Sequence, residues 1–129
     1  MTMKGALGAP RTREAMAALQ DHAAEAAALL KALANDQRLL ILCALLDGPL
    51  SVGQINERVP LSQSALSQHL GVLRDAALVT TTRHSQTIYY ALTQGPALEI
   101  MRVLYTAFCA PPASERFATR VKRKLGRRS

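Results

Sequence analysis

The sequence predicts a mainly α-helical fold with one small β-hairpin, in the order ααααββα. Three observations carry that expectation. Apolar residues recur at helical spacing over most of the 129 residues. Two short, capped helical stretches meet at a proline-containing turn near residue 60. A run rich in Val, Thr, Ile and Tyr then follows, broken by His84, Ser85 and Gln86. Two helices, a tight turn and a hairpin in that order make a winged helix-turn-helix. The length suits one domain, here 12–110, with an arm at 1–11 and a basic tail at 111–129.

The first helix is expected at 12–34, capped by Thr12. Met16, Leu19, Ala23, Ala26, Leu30 and Leu33 step by three and four, a heptad-like seam that suits a partner helix. The same seam would also serve packing within one chain. Asn35 is a natural N-cap for a second helix at 36–47, with Leu39, Leu42, Cys43 and Leu46 on one stripe and Gly48-Pro49 as its stop. Ser51 and Gln54 form a capping box that opens a third helix at 52–58, and Leu50 can staple onto Ile55. Pro60 keeps Val59 out of helical dihedrals, so a turn follows.

The fourth helix, within 61–75 and capped by Ser62, is the unusual one. Leu66, Leu70 and Leu73 share an apolar edge, while Gln63, Ser64, Ser67 and Gln68 lie on the other. A helix needing only solubility usually carries Lys and Glu there. Small hydroxyls and amides without carboxylates suit a surface that approaches base edges and phosphates. His69 sits at the margin, fit for phosphate contact or for buttressing the helix, and Arg74 is a candidate phosphate contact. Arg83, with His84 and Gln86 at the hairpin tip, can reach a minor groove or clamp phosphates. A plain solvated helix face and a plain exposed turn are the alternatives. A last helix opens at Gly95-Pro96, carries Leu98, Met101, Tyr105 and Phe108 as its stripe, and ends at Pro111-Pro112.

The net charge of +7 is uneven, because residues 113–129 hold +6 of it. That tail suits nucleic acid, or is a solvated end. No apolar run approaches the ~18 residues a membrane span needs, and no secretory signal is evident, so a cytoplasmic protein is expected. Paired carboxylates, nucleophile–base spacing and a Gly-rich phosphate loop are all missing, which argues against an enzyme.

Three spaced blocks, LKALANDQRLLILCAL, LSQSALSQHLGVLRDAALV and the hairpin end TIYYAL, in that order, resemble the ArsR/SmtB family of bacterial winged-helix repressors over residues 29–111. The resemblance implies a homodimer built from the first and last helices. Met16, Leu19, Ala23, Ala26, Leu98, Met101 and Tyr105 would then lie at its interface. It also implies repression by binding double-stranded DNA at an inverted-repeat operator, relieved by an inducer. A two-fold dimer would present its recognition helices to successive major grooves about 34–36 Å apart.

The family's metal sites find no ligands here. The stretch matching its Cys-rich motif is SVGQINER, the last helix reads PALEIMRVLYTAFC, and His22, His69 and His84 are scattered, so no metal or other cofactor is expected. Cys43 and Cys109 instead resemble the family's dithiol subgroup, the BigR/SqrR type. There, linkage of two thiols by a persulfide, polysulfide or oxidant releases DNA. Three readings therefore stand: a reactive-sulfur or oxidant switch, a thiophilic-ion sensor for As(III) or Hg(II) using the same thiols, and a DNA-binding regulator whose cysteines are core filler.

Overall fold

The computed structural model describes residues 12–109. The expected 1–11 arm and the 111–129 tail lie outside the described residues. The elements are α1 (Thr12–Gln20), α2 (Ala23–Leu33), α3 (Asp36–Ala44), a 3-10 turn (Leu45–Asp47), β1 (Leu50–Ser51), α4 (Val52–Arg58), α5 (Gln63–Asp75), β2 (Val79–His84), β3 (Thr87–Leu92) and α6 (Pro96–Cys109).

The helix expected at 12–34 is two helices. The chain breaks at Asp21-His22, where His22 leaves helical dihedrals at φ −125, ψ 9. Asp and His are weak helix formers, and the His22 ring turns to the Glu25 carboxylate at 3.0 Å. Packing does not oppose the break, since α1 buries no residue in the single chain. Only the end of α2, Ala32 and Leu33, enters the core, so Leu33 leaves the seam expected of it.

The local signals around the turn hold. Asn35 accepts from Arg38 N at 3.0 Å and starts α3. Ser51 and Gln54 make both bonds of the capping box, at 2.9 and 3.2 Å. Ser62 accepts from Ala65 N at 3.1 Å and starts α5. The last turn of the helix expected at 36–47 tightens to 3-10 geometry and stops at Gly48, whose φ of 138 is closed to most side chains.

One core joins α2 to α6. Ile41, Leu42, Ile55, Leu66 and Leu73 are its largest fully buried side chains, with Leu70, Leu78, Val79, Tyr90 and Met101 around them. Two expected stripes are rotated. On α3 and the 3-10 turn after it the core takes Ile41, Leu42 and Leu45, with Leu39 and Leu46 partly buried and Cys43 exposed. On α6 the core takes Ala97 and Met101, flanked by Ile100 and Leu104, and leaves Tyr105 and Phe108 exposed. Both helices are apolar on more than one side, and on α3 the side taken by the core is the one packed against α4 and α5.

The sheet has three antiparallel strands in the order β1-β3-β2. β1 is only Leu50 and Ser51, paired with Tyr90 and Tyr89. β2 and β3 pair from Val79↔Leu92 out to His84↔Thr87, so His84 belongs to the strand and the turn is Ser85-Gln86. Ser85 has φ 60, which suits a tight hairpin turn. Only Val79 of β2 is buried, so the hairpin projects from the core as a wing.

Candidate functional site

The buried edge of α5 anchors it. Leu66, Leu70 and Leu73 enter the core, and this turns Gln63, Ser64, Ser67 and Gln68 outward, all exposed. The preceding turn is braced by Asn56, whose amide donates to Val59 O at 3.3 Å and Leu61 O at 3.0 Å. Asn56 was not singled out in the sequence, although a single Asn four residues before Pro60 is a usable signal. The result is a polar helix face held rigidly from behind, as base-edge contacts require.

His69 does not lie on that face. It is half-buried, and its Nδ1 accepts from the Arg38 guanidinium at 3.3 Å, since Arg has only donors. Arg38 also donates to Ala32 O at 2.6 Å and Lys31 O at 3.2 Å, the last carbonyls of α2. One side chain thus ties the end of α2 to the middle of α5. Sequence reasoning missed Arg38 because its side-chain partners lie six and seven positions upstream and 31 positions downstream.

Arg74 is exposed and makes no ion pair among the described residues, so its charge is available to phosphate. Arg83, His84 and Gln86 are exposed at the far end of the wing. α5 and the wing thus present two separate sets of polar donors, joined through the turn after α5.

The two thiols come from α3 and the last residue of α6. Both are free and exposed, and both line one cavity of about 340 Å³. Leu39, Leu46, Leu104, Tyr105 and Phe108 form much of its remaining wall. No group of three or more His, Cys, Asp or Glu that could hold a metal occurs among the described residues, and no helix there is long and apolar enough to cross a membrane.

The residues expected at a dimer interface divide. Met16 and Leu19 on α1 and Tyr105 on α6 are 50–58% exposed. Ala23 is also exposed, and Ala26 and Leu98 are half-buried. Met101 is 4% exposed and serves the core of the single chain. An interface centred on Met101 would have to draw that side chain out of its own fold. Val103 and Ile100, not expected from the sequence, flank it on α6, with Val103 open to solvent.

Residues 35–81, which contain the whole helix-turn-helix, match the family model "Bacterial regulatory protein, arsR family". The chain is 45% identical over 102 residues to the transcriptional activator HlyU of Vibrio cholerae, a match spanning 79% of this chain and 92% of that protein. The chain belongs to the ArsR family. A second relative, the biofilm growth-associated repressor of Xylella fastidiosa, is 42% identical over 99 residues, spanning 77% of this chain and 84% of the relative. Among solved structures, reduced HlyU from V. cholerae matches with a TM-score of 0.68 at 46% identity, over 71% of this chain and 97% of that one. The transcriptional repressor BigR from X. fastidiosa matches with a TM-score of 0.67 at 42% identity, over 78% and 99%. This ArsR-family chain is therefore a winged-helix transcriptional regulator, and the likeness to BigR read from its sequence holds.

Proposed function

We propose that this ArsR-family regulator is a homodimeric repressor that leaves its operator when Cys43 and Cys109 become linked by reactive sulfur or an oxidant. The observation that carries the switch is that both thiols line one cavity although 66 positions separate them in the chain. Linking them would tie α3 to the end of α6. α3 carries Arg38, which also contacts α2 and α5, so strain placed on α3 has a direct route to the recognition helix.

Other features support the remaining parts of the reading. Gln63, Ser64, Ser67 and Gln68 form the base-reading face, with Arg74 and the wing's Arg83 and Gln86 on phosphates. His69 acts behind that face through Arg38. Two-fold pairing gives α1 the packing it lacks, since an isolated nine-residue helix is marginal in water. One similar structure is described as reduced HlyU, a redox label that fits a thiol-bearing regulator.

The test is a gel shift on an inverted repeat selected by the reduced protein, with mass spectrometry of the released chains. Released chains should carry one Cys43–Cys109 link with the two thiol hydrogens lost, with or without added sulfur, and Cys43→Ser should stay bound under the same treatment. Release with an added arsenic or mercury mass would favour the thiophilic-ion sensor. Release that survives Cys43→Ser would remove the thiol pair from the mechanism.

A further inference from the structure

The cavity holding the two thiols is apolar. Apart from the Tyr105 hydroxyl, its wall is aliphatic, aromatic or sulfur, and among the described residues no charged side chain lines it. Its volume of about 340 Å³ lies within the range of small-molecule sites. Cys43 contributes from α3 and Cys109 from α6, with Leu39, Leu46, Leu104 and Phe108 between and around them. A charged sulfur carrier lying against this wall would gain no counter-charge from the described residues, whereas an uncharged one would bury apolar surface.

We infer that the cavity is a binding site for uncharged, apolar sulfane-sulfur compounds, of the dialkyl trisulfide type, and that it delivers them to Cys43 and Cys109 in preference to charged carriers. The inference rests on the thiol switch proposed above and names its substrate class. The chemistry needs no further reactant. One cysteine thiolate attacks the central sulfur of R–S–S–S–R, one S–S bond breaks, and RS⁻ leaves and takes up a proton. The second thiolate attacks the same sulfur and expels the other RS⁻. The protein then holds Cys43–S–S–S–Cys109, and the carrier has become two molecules of RSH. The two cysteines are oxidised and the trisulfide is reduced.

The experiment compares dipropyl trisulfide with glutathione trisulfide on the reduced full chain. Thiol loss is timed, and the linked product is identified by mass. The same pair of rates is measured on the chain unfolded in guanidinium chloride, where the cavity no longer exists. The ratio of neutral to charged rate should be at least about 5-fold greater for the folded chain than for the unfolded one, a difference set by the cavity and not by intrinsic thiol reactivity. A smaller difference overturns the inference while leaving the switch intact, provided the linked product forms. If neither probe links Cys43 to Cys109 in the folded chain, the switch itself fails, and this inference falls with it.

Discussion

Leu73 and Arg74 are adjacent, and they do opposite jobs. Leu73 is fully buried and holds α5 against the core, while Arg74 is exposed beside the polar face of α5. Leu73→Ala should cost about 2–5 kcal/mol in urea unfolding, the range for a buried leucine that leaves a cavity. Arg74→Ala should leave stability nearly unchanged and weaken DNA binding evenly across sequences. The slope of log K against log salt should shrink by about 1, as for one lost phosphate contact. An unchanged salt slope would remove Arg74 from the interface. Three of the four expected caps were legible because their partners lie three positions away: Asn35, Ser51 and Ser62 cap as their types predict, whereas Thr12 is the first residue within α1 and not its cap. Arg38 and Asn56 were not legible in their roles, and for His69 the buttressing reading was available but the Arg38 partner was not. Those roles depend on where distant backbone carbonyls and ring nitrogens arrive after folding.

Elements were readable where one periodicity dominated and unreadable where two faces competed. α5 has a single apolar edge, and its buried residues are the three leucines that the spacing selects. α3 is apolar almost all round, so spacing alone could not choose between the Cys43 side and the Ile41 side, and the core took Ile41 and Leu42. That choice leaves the Cys43 thiol exposed, as the proposed switch requires. β1 escaped notice because two residues carry no alternation, and its pairing with β3 is visible only in three dimensions. The break at Asp21-His22 reflects an absence of packing that no pattern of Ala and Leu reveals. The stop of the 3-10 turn provides a clean test at this scale. Gly48 sits at φ 138 with open space where a Cβ would go, so the penalty for Gly48→Ala would come from backbone strain and not from a clash. Thermal unfolding should register a loss of about 1–3 kcal/mol.

Among the described residues, the large apolar side chains that the core leaves most exposed lie chiefly on α1 and α6, with Leu30 on α2 and Leu40 on α3 also open. Met16, Leu19 and Val103 are 57–66% exposed, a costly arrangement for a lone chain and a natural one for a pair. Leu19→Glu should shift sedimentation equilibrium from dimer toward monomer and weaken binding to an inverted repeat by at least ~10-fold, because a single short helix makes few base contacts. A Leu19→Glu protein that remains a dimer would move the interface elsewhere. The fold class, the helix-turn-helix and the wing were all legible in order and position, because each rests on local signals. The meeting of Cys43 and Cys109 at one cavity was legible only as a resemblance, since two positions so far apart in sequence share no local pattern. The most direct test of the account is therefore an anisotropy titration of one operator duplex with the same protein sample in three states: reduced, linked between Cys43 and Cys109, and reduced again. Binding should be tight, then at least ~10-fold weaker, then fully recovered, with Cys43→Ser and Cys109→Ser variants binding tightly throughout. Equal affinity of the reduced and linked protein would contradict the account.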